Sequence, residues 1–331
     1  MNSEIKSEDV QLVEQLNHKV KEIKNEISKV IIGQDEIIDQ LLISLLCKGH
    51  CLLVGVPGLA KTLIIKTLAE VMDLKFNRIQ FTPDLMPSDI IGTEILEEDA
   101  STKKRNYRFI EGPIFSNVIL ADEINRTPPK TQSALLEAMQ EHKVTIGGLT
   151  YTLKEPFFVL ATQNPIEQEG TYPLPEAQLD RFMFNLWVEY PSTEQEKNIV
   201  KTTTSEYSAK LNQVIDAETI IKFQNIVRKV PVADNVIEYA VNKVNLTRPN
   251  NNGSPKYIKD WISWGAGPRA SQYLVLASKA RAIMNGKFTP NIEDINFAMI
   301  PVLRHRIITN FSAEADGIKS TDIINKIVAE D

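Results

Sequence analysis

Residues Gly55 to Thr62 read GVPGLAKT. The stretch follows four apolar residues, Cys51 to Val54, and precedes a helical pattern, Leu63 to Val71, so it is a strand-loop-helix junction of the kind that grips phosphate. Gly55 and Gly58 let the backbone curl until successive N–H groups point inward. Lys61 supplies a point charge toward the β and γ phosphates, and Thr62 offers its hydroxyl to Mg²⁺. One letter departs from the usual pattern, G-x-x-x-x-G-K-[ST], which puts glycine directly before the lysine where this chain has Ala60. Alanine is the smallest side chain that could stand there. If the backbone strongly prefers glycine its cost is about 1 kcal/mol, enough to weaken the loop and too little to abolish it.

Outward from the loop, short apolar runs alternate with helical patterns. HCLLVG, FNRIQF, NVILAD, FFVLAT and FMFNLWV are strand candidates, mostly without period-2 alternation, as expected of a parallel sheet covered on both faces by helices. The fold class is therefore α/β, a doubly wound five-stranded parallel sheet ending near Val188 and followed by an all-α domain. Ahead of it lie an amphipathic helix near Val10 to Ile27, an interruption at Gly33 in VIIGQ, and a second helix carrying Ile37, Ile38, Leu41, Leu42 and Leu45. Two insertions break the alternation. Residues about 82–109 are interrupted by Pro83, Pro87 and Gly92 and are too long for a simple connection, and about 143–154 read as a hairpin around Gly147-Gly148. Pro191, Ser192 and Thr193, with Glu194 and Glu196 behind them, start the first helix of the second domain. The helical pattern continues at Glu218 to Val227, Val236 to Val244, Arg269 to Met284 and Ile292 to Leu303, broken by the loop TRPNNNGSPKYIKDWISWGAGP. The division expected is 1–190 and 191–331.

Further chemistry stands at the strand ends. VILADE delivers Asp122 to a magnesium shell and Glu123 to an attacking water. In FFVLATQNP the amide of Asn164 can bridge that water and the γ phosphate, a neutral orienting task that a carboxylate would spoil. Arg181 precedes the last strand and Arg269 opens a helix, and an arginine beside a γ phosphate can stabilise transition-state charge.

Composition bounds the partners. The chain has 331 residues, 43% hydrophobic and 24% charged, with a formal net charge of -6, so it lacks the overall positive field of a duplex-DNA binder. Its start, MNSEIKSEDVQLVEQ, is acidic where a signal peptide would be basic, and no run of about 18 apolar residues is long enough to cross a bilayer. Cytoplasmic residence without membrane insertion is expected. Cys47 and Cys51 flank His50, but their spacing fits no zinc pattern and buried thiols are the better reading.

Taken in order, GVPGLAKT, VILADEINRTPPKTQSALLEAMQE, ATQNP, LPEAQLDRF and GPRAS make a chain that resembles the MoxR family of AAA+ ATPases over nearly its full length. Alanine before the lysine is the form usual in that family, and VLRHR, Val302 to Arg306, also matches, with no mechanism attached. The resemblance implies an ATPase using ATP and Mg²⁺. It assigns a Walker A of Gly55, Val56, Pro57, Gly58, Leu59, Ala60, Lys61 and Thr62, with Leu63 beyond it, and a Walker B at Asp122 and Glu123, with magnesium on Thr62 and Asp122. It further assigns sensor 1 to Asn164, an arginine finger to Arg181 and sensor 2 to Arg269, and implies that Ile32, Gly33 and Gln34, with Ile31, line an adenine pocket.

The same resemblance implies a homo-hexameric ring with nucleotide between subunits. The helix-2 insert and pre-sensor-1 hairpin would face its pore, and Leu85, Met86, Ile90 and Ile91 either grip a partner or pack on their own domain. Chaperone-like maturation or metal loading of a protein complex is implied, with a von Willebrand factor A domain supplied by another chain. A nucleic-acid motor or a magnesium-chelatase-like subunit are the rivals. The hairpin's lysines stand only at its ends, Lys143 and Lys154, and the cluster Lys103, Lys104 and Arg105 adjoins Glu97, Glu98 and Asp99, which disfavours the first.

Overall fold

The computed structural model describes residues 7–98, 105–166, 170–205 and 209–330. Lys103, Lys104 and Asp99 lie outside them. Helices α1 (Ser7–Ile27) and α2 (Asp35–Leu46) lead into β1 (Cys51–Val54), α3 (Lys61–Val71) and β2 (Phe76–Gln80). Next come α4 (Pro87–Ile91), the antiparallel pair β3 (Gly92–Glu98) and β4 (Arg105–Glu111), and β5 (Val118–Asp122). After α5 (Pro129–Glu141) follow the hairpin β6 (Lys143–Ile146) and β7 (Leu149–Thr152), then β8 (Phe158–Gln163), α6 (Glu176–Leu179) and β9 (Phe184–Trp187). The remainder is α7 (Thr193–Thr203), α8 (Ala217–Lys229), α9 (Asp234–Leu246), α10 (Lys256–Trp261), β10 (Ile262–Trp264), α11 (Pro268–Met284), α12 (Ile292–Leu303), β11 (Ile308–Thr309), α13 (Phe311–Ala315) and α14 (Ser320–Ala329).

The central sheet has the order β2-β5-β8-β1-β9, all neighbours parallel. The apolar runs explain its placement. Leu53, Leu120, Leu160 and Leu186 enter one core with α1, α2, α3 and the C-terminal helices, while Leu52, Ile119 and Val159, one residue out of phase, enter a second core with α5. Both faces of β1, β5 and β8 are therefore dry, as a covered parallel sheet requires. FNRIQF departs from that reading. As the edge strand β2 it buries Ile79 and leaves Arg78 and Gln80 exposed, because nothing pairs with its outer side. α10 falls inside a stretch expected to be loop, and the helical half also carries the two-stranded ladder β10-β11, where Ile262 and Thr309 pair.

Both insertions fold into hairpins that meet. Gly147 and Gly148 take φ of 56° and 81°, the left-handed pair that a two-residue turn demands. Phe109 stacks on Tyr151 at 4.2 Å between ring centroids and meets Phe115 edge-on at 5.5 Å, tying β4 to β7. Of the four apolar residues expected to grip or pack, Ile90 is fully buried, Leu85 and Ile91 pack against the second core, and Met86 alone is exposed. Among the described residues, the other large apolar groups this insert exposes stand on the hairpin itself: Ile95, Leu96, Tyr107 and Ile110.

His50 and the cysteines are core. His50 accepts from the Val159 N–H on Nδ1 at 3.1 Å, so Nε2 carries the proton and donates to the Met139 carbonyl at 3.1 Å. Both ring nitrogens are thus committed. Burial holds its pKa down to about 4 and pushes both thiols well up. Among the described residues no cluster could hold a metal through such side chains, and no helix is long and apolar enough to cross a membrane.

Candidate active site

The loop after β1 curls as its residue types require. Gly58 has φ 87°, and Ala60, which caps α3, sits at φ 53° and ψ 20°. That left-handed position is why glycine is usual there. The N–H of Gly55 donates to the Gln163 carbonyl at 3.3 Å, so the loop starts against the end of β8. A side chain at Gly55 would crowd Val188 at 3.2 Å, just beyond β9. The ammonium of Lys61 turns back onto the loop, donating to the Gly55 carbonyl and to Val56 O at 3.2 Å. Burial lowers its pKa, while the charges of Asp122 and Glu123 raise it. Amine and carboxylates therefore share one site.

Asp122 is 9% exposed at the tip of β5. Its Oδ2 accepts from Arg78 Nη2 at 2.6 Å and Nε at 3.1 Å, and its Oδ1 accepts from the Thr162 hydroxyl at 2.5 Å. Thr162 in turn accepts from the Glu123 N–H at 2.9 Å. Each carboxylate oxygen has two lone pairs, so Oδ2 is filled by Arg78 while Oδ1, accepting one bond, keeps capacity for a cation. Glu123 takes a left-handed φ of 57°, which turns its carboxylate out of the strand. Its Oε2 accepts from Gln80 at 3.1 Å and pairs with Arg126 at 3.0 Å. Pro129 opens α5, so the prolines after β5 start a helix.

Asn164, 7% exposed, follows β8 and accepts from the Ile166 N–H at 3.1 Å through Oδ1, while its Nδ2 is buried without a partner among the described residues. An unpaired buried donor costs on the order of 1–3 kcal/mol unless something accepts from it. A phosphate oxygen or an attacking water beside the loop would satisfy it, and a hard cation suits the hydroxyl of Thr62 and the carboxylate of Asp122. The residues thus fit ATP with magnesium.

Gln34 reaches the same edge. Its Nε2 donates to the Glu189 carbonyl at 3.4 Å, one residue past the Val188 that abuts Gly55. Gly33 and Gln34 both take positive φ, 73° and 66°, where the chain turns into α2. Ile32 is half-buried there, and Ile31 is 5% exposed in the core. Leu63 is exposed at the start of α3.

Arg181 and Arg269 lie elsewhere. Arg181 precedes β9, whose first residue Phe184 pairs with Cys51, whereas the loop follows Val54, which pairs with Trp187. Three residues of strand, roughly 10 Å, separate the two ends. Arg181 and Arg269 line one cavity together with Lys48, His50, Met139, His142 and Tyr273, at the edge opposite the lysine loop. Arg269 pairs there with Asp180 at 3.1 Å.

So the fold gathers Lys61, Asp122, Glu123 and Asn164 at the C-terminal ends of β1, β5 and β8, the crevice where α/β sheets bind ligands, and puts the two arginines at the far edge. Sequence reading missed Arg78, Gln80 and Thr162. The available signal was polarity: Arg78 and Gln80 interrupt an apolar run two residues apart, on one face of an edge strand.

Comparison with known proteins agrees with this geometry. Residues 50–184 match the model of the ATPase family associated with various cellular activities (AAA), and residues 256–327 match an AAA lid domain. The chain is 43% identical over 304 residues to chaperone MoxR1 of Mycobacterium tuberculosis, covering 92% of this chain and 79% of that one. It is 30% identical over 300 residues to protein MoxR of Methylorubrum extorquens, with 86% of each covered. A crystal structure of a protein from Cytophaga hutchinsonii superposes with a TM-score of 0.89 at 44% identity, covering 97% of this chain and 96% of that one.

Proposed function

Because the chain belongs to the MoxR family of AAA+ ATPases and is an ATPase, we propose that it completes each ATP site between two subunits and uses hydrolysis to remodel a protein client. The observation that carries this reading is the split of the charged groups: one half-site at the C-terminal strand ends, and two arginines at the opposite edge, out of reach of their own chain's loop.

In the first half, the loop amides and Lys61 hold the polyphosphate, released from the Gly55 and Val56 carbonyls that Lys61 engages without it. Thr62 and Asp122 hold magnesium, which neutralises phosphate charge when bound. Glu123 takes the proton of the attacking water, and Asn164 Nδ2 orients that water. Arg78 holds the Asp122 carboxylate in place, while Gln80 and Arg126 hold that of Glu123. Ile32, Gly33 and Gln34 border the base. Arg181 and Arg269 serve the neighbour's nucleotide, supplying charge as the γ phosphoryl departs, in a ring we take to be a hexamer. The division at about residue 190 then separates the sheet that binds from the helical lid that moves.

Two facts support a protein client over a nucleic acid. Arg105 and Arg108 of the β3-β4 hairpin are paired with Glu98 at 3.1 Å and Glu97 at 3.4 Å, which neutralises that face. The same hairpin exposes Leu96, Tyr107 and Ile110, chemistry suited to apolar peptide. One relative carries the name chaperone, and we extend that role to this chain and add to it maturation or metal loading of a protein complex with a von Willebrand factor A partner. The test is Glu123→Gln. It keeps ATP binding, seen as a nucleotide-dependent rise in Tm, and lowers kcat by on the order of a hundredfold or more. Wild-type turnover in that variant would refute the assignment.

A further inference from the structure

VLRHR, which ends α12 and runs past it, was legible in the sequence without a role. In the fold its last residue, Arg306, is 6% exposed and spends its guanidinium on the chain around Arg181. Nε donates to Asp180 Oδ1 at 2.7 Å, and Nη2 donates to the backbone carbonyls of Asp180 at 2.8 Å and Phe182 at 2.7 Å. Nη1 reaches the Met183 carbonyl at 3.3 Å and the Val302 carbonyl at 2.5 Å. The carbonyl of Arg181 itself meets the Tyr273 hydroxyl at 3.5 Å, and the ring of Tyr273 lies under the Arg306 guanidinium at 5.2 Å. All four carbonyls from Asp180 to Met183 are thus held by two residues of the helical half.

The neighbouring His305 fits the same purpose. Its Nε2 lies 2.7 Å from Arg306 Nη1 and 3.1 Å from the Phe182 carbonyl, between the guanidinium and the segment it holds, and the ring is neutral. Burial and the adjoining guanidinium keep it so. A rigid five-donor fork spent on main-chain oxygens fixes backbone direction, and with it the line along which each side chain leaves. Asp180 alone could have neutralised the charge; the carbonyls of Phe182 and Met183 add nothing to neutrality. Their engagement locks the peptide planes flanking Arg181, which lines one cavity with Arg269.

We propose that Arg306, assisted by Tyr273, is a positioning residue that clamps the main chain on both sides of Arg181 and so sets the angle at which Arg181 is presented to the neighbouring subunit's nucleotide. The proposal rests on the reading of Arg181 as acting in trans. It also ties Arg181 to the lid, because both clamping residues belong to the helical half and the clamped segment to the sheet.

The experiment is a double-mutant comparison of ATP turnover in the full chain, using Arg181→Ala, Arg306→Lys, Tyr273→Phe and the pairs with Arg181→Ala. A displacement of about 1 Å at a catalytic group costs up to ~100-fold in rate. Arg306→Lys keeps the charge but not the fork, and it is expected to lower kcat about 10- to 100-fold while KM for ATP and the nucleotide-induced rise in Tm stay within about threefold and a degree or two of wild type. Tyr273→Phe removes one hydroxyl from a chain that still packs, so it keeps the test open if Arg306→Lys does not fold; a severalfold loss is expected. Each pair with Arg181→Ala turns over at the rate of Arg181→Ala alone, because a clamp has nothing left to position. Losses that multiply in the pairs, or full kcat in both folded single variants beside an inactive Arg181→Ala, overturn the clamp. Full kcat in Arg181→Ala refutes the trans reading itself, and the clamp with it.

Discussion

Replacing His50 by Gln changes how stability responds to acid, and the size of the change follows from the structure. In the native state the ring is buried with Nδ1 accepting from Val159 and Nε2 donating to Met139, so a second proton would break the Val159 bond and place a charge in the core. Its pKa is held down to about 4, against the ordinary 6.5 of an unfolded chain. Between those values the unfolded state binds a proton that the native state refuses, so stability falls as pH drops below about 6.5 and the loss levels off near 4. At pH 5 the lost span is about 1.5 units, worth about 2 kcal/mol at 1.36 kcal/mol per unit. Glutamine does not titrate. Urea unfolding of wild type and His50→Gln at pH 8 and pH 5 isolates the effect, since other titrating groups are common to both. The stability advantage of wild type at pH 8 is expected to shrink by about 2 kcal/mol at pH 5. A gap that does not change with pH would refute the picture of a neutral, doubly hydrogen-bonded imidazole. The result bears on activity as well, because His50 lines the cavity of Arg181 and Arg269, where a further cation is unwelcome.

Two further outcomes are expected. Asn164→Ala removes the unpaired Nδ2 and should lower kcat by roughly 100- to 1,000-fold with ATP affinity nearly unchanged, checked by steady-state turnover beside nucleotide titration; unaltered kcat would leave that buried amide without a role. Ala60→Val forces a β-branched residue into the left-handed cap of α3 and should cost about 2 kcal/mol or more while weakening nucleotide binding, whereas Ala60→Gly stays within about 1 kcal/mol of wild type in calorimetry.

The five strands, the phosphate loop and the hairpin at Gly147-Gly148 were legible because their signals are local, whereas the β3-β4 pair of the first insertion was not. CLLV, VILAD and FVLAT are apolar on both faces, and Gly147-Gly148 can only be a tight turn. The capping of α7 by Ser192 with Gln195 belongs to the same class of short-range chemistry. FNRIQ misled because an apolar count does not reveal whether a strand is central or at an edge, and that position is what exposes Arg78 and Gln80 to Asp122 and Glu123.

By itself, the sequence determined the α/β sheet, the order of its elements and the identity of the lysine loop, the acidic pair and Asn164, since each depends on residues within a few positions of one another. Tertiary structure alone decided that Arg181 and Arg269 face away from their own loop, that Gln80 and Arg78 serve the acidic pair, and that Arg306 grips the chain around Arg181 from more than a hundred residues away. Those relations follow from parallel strand register and from the docking of the helical half on the sheet, both of them set by packing between segments remote in sequence.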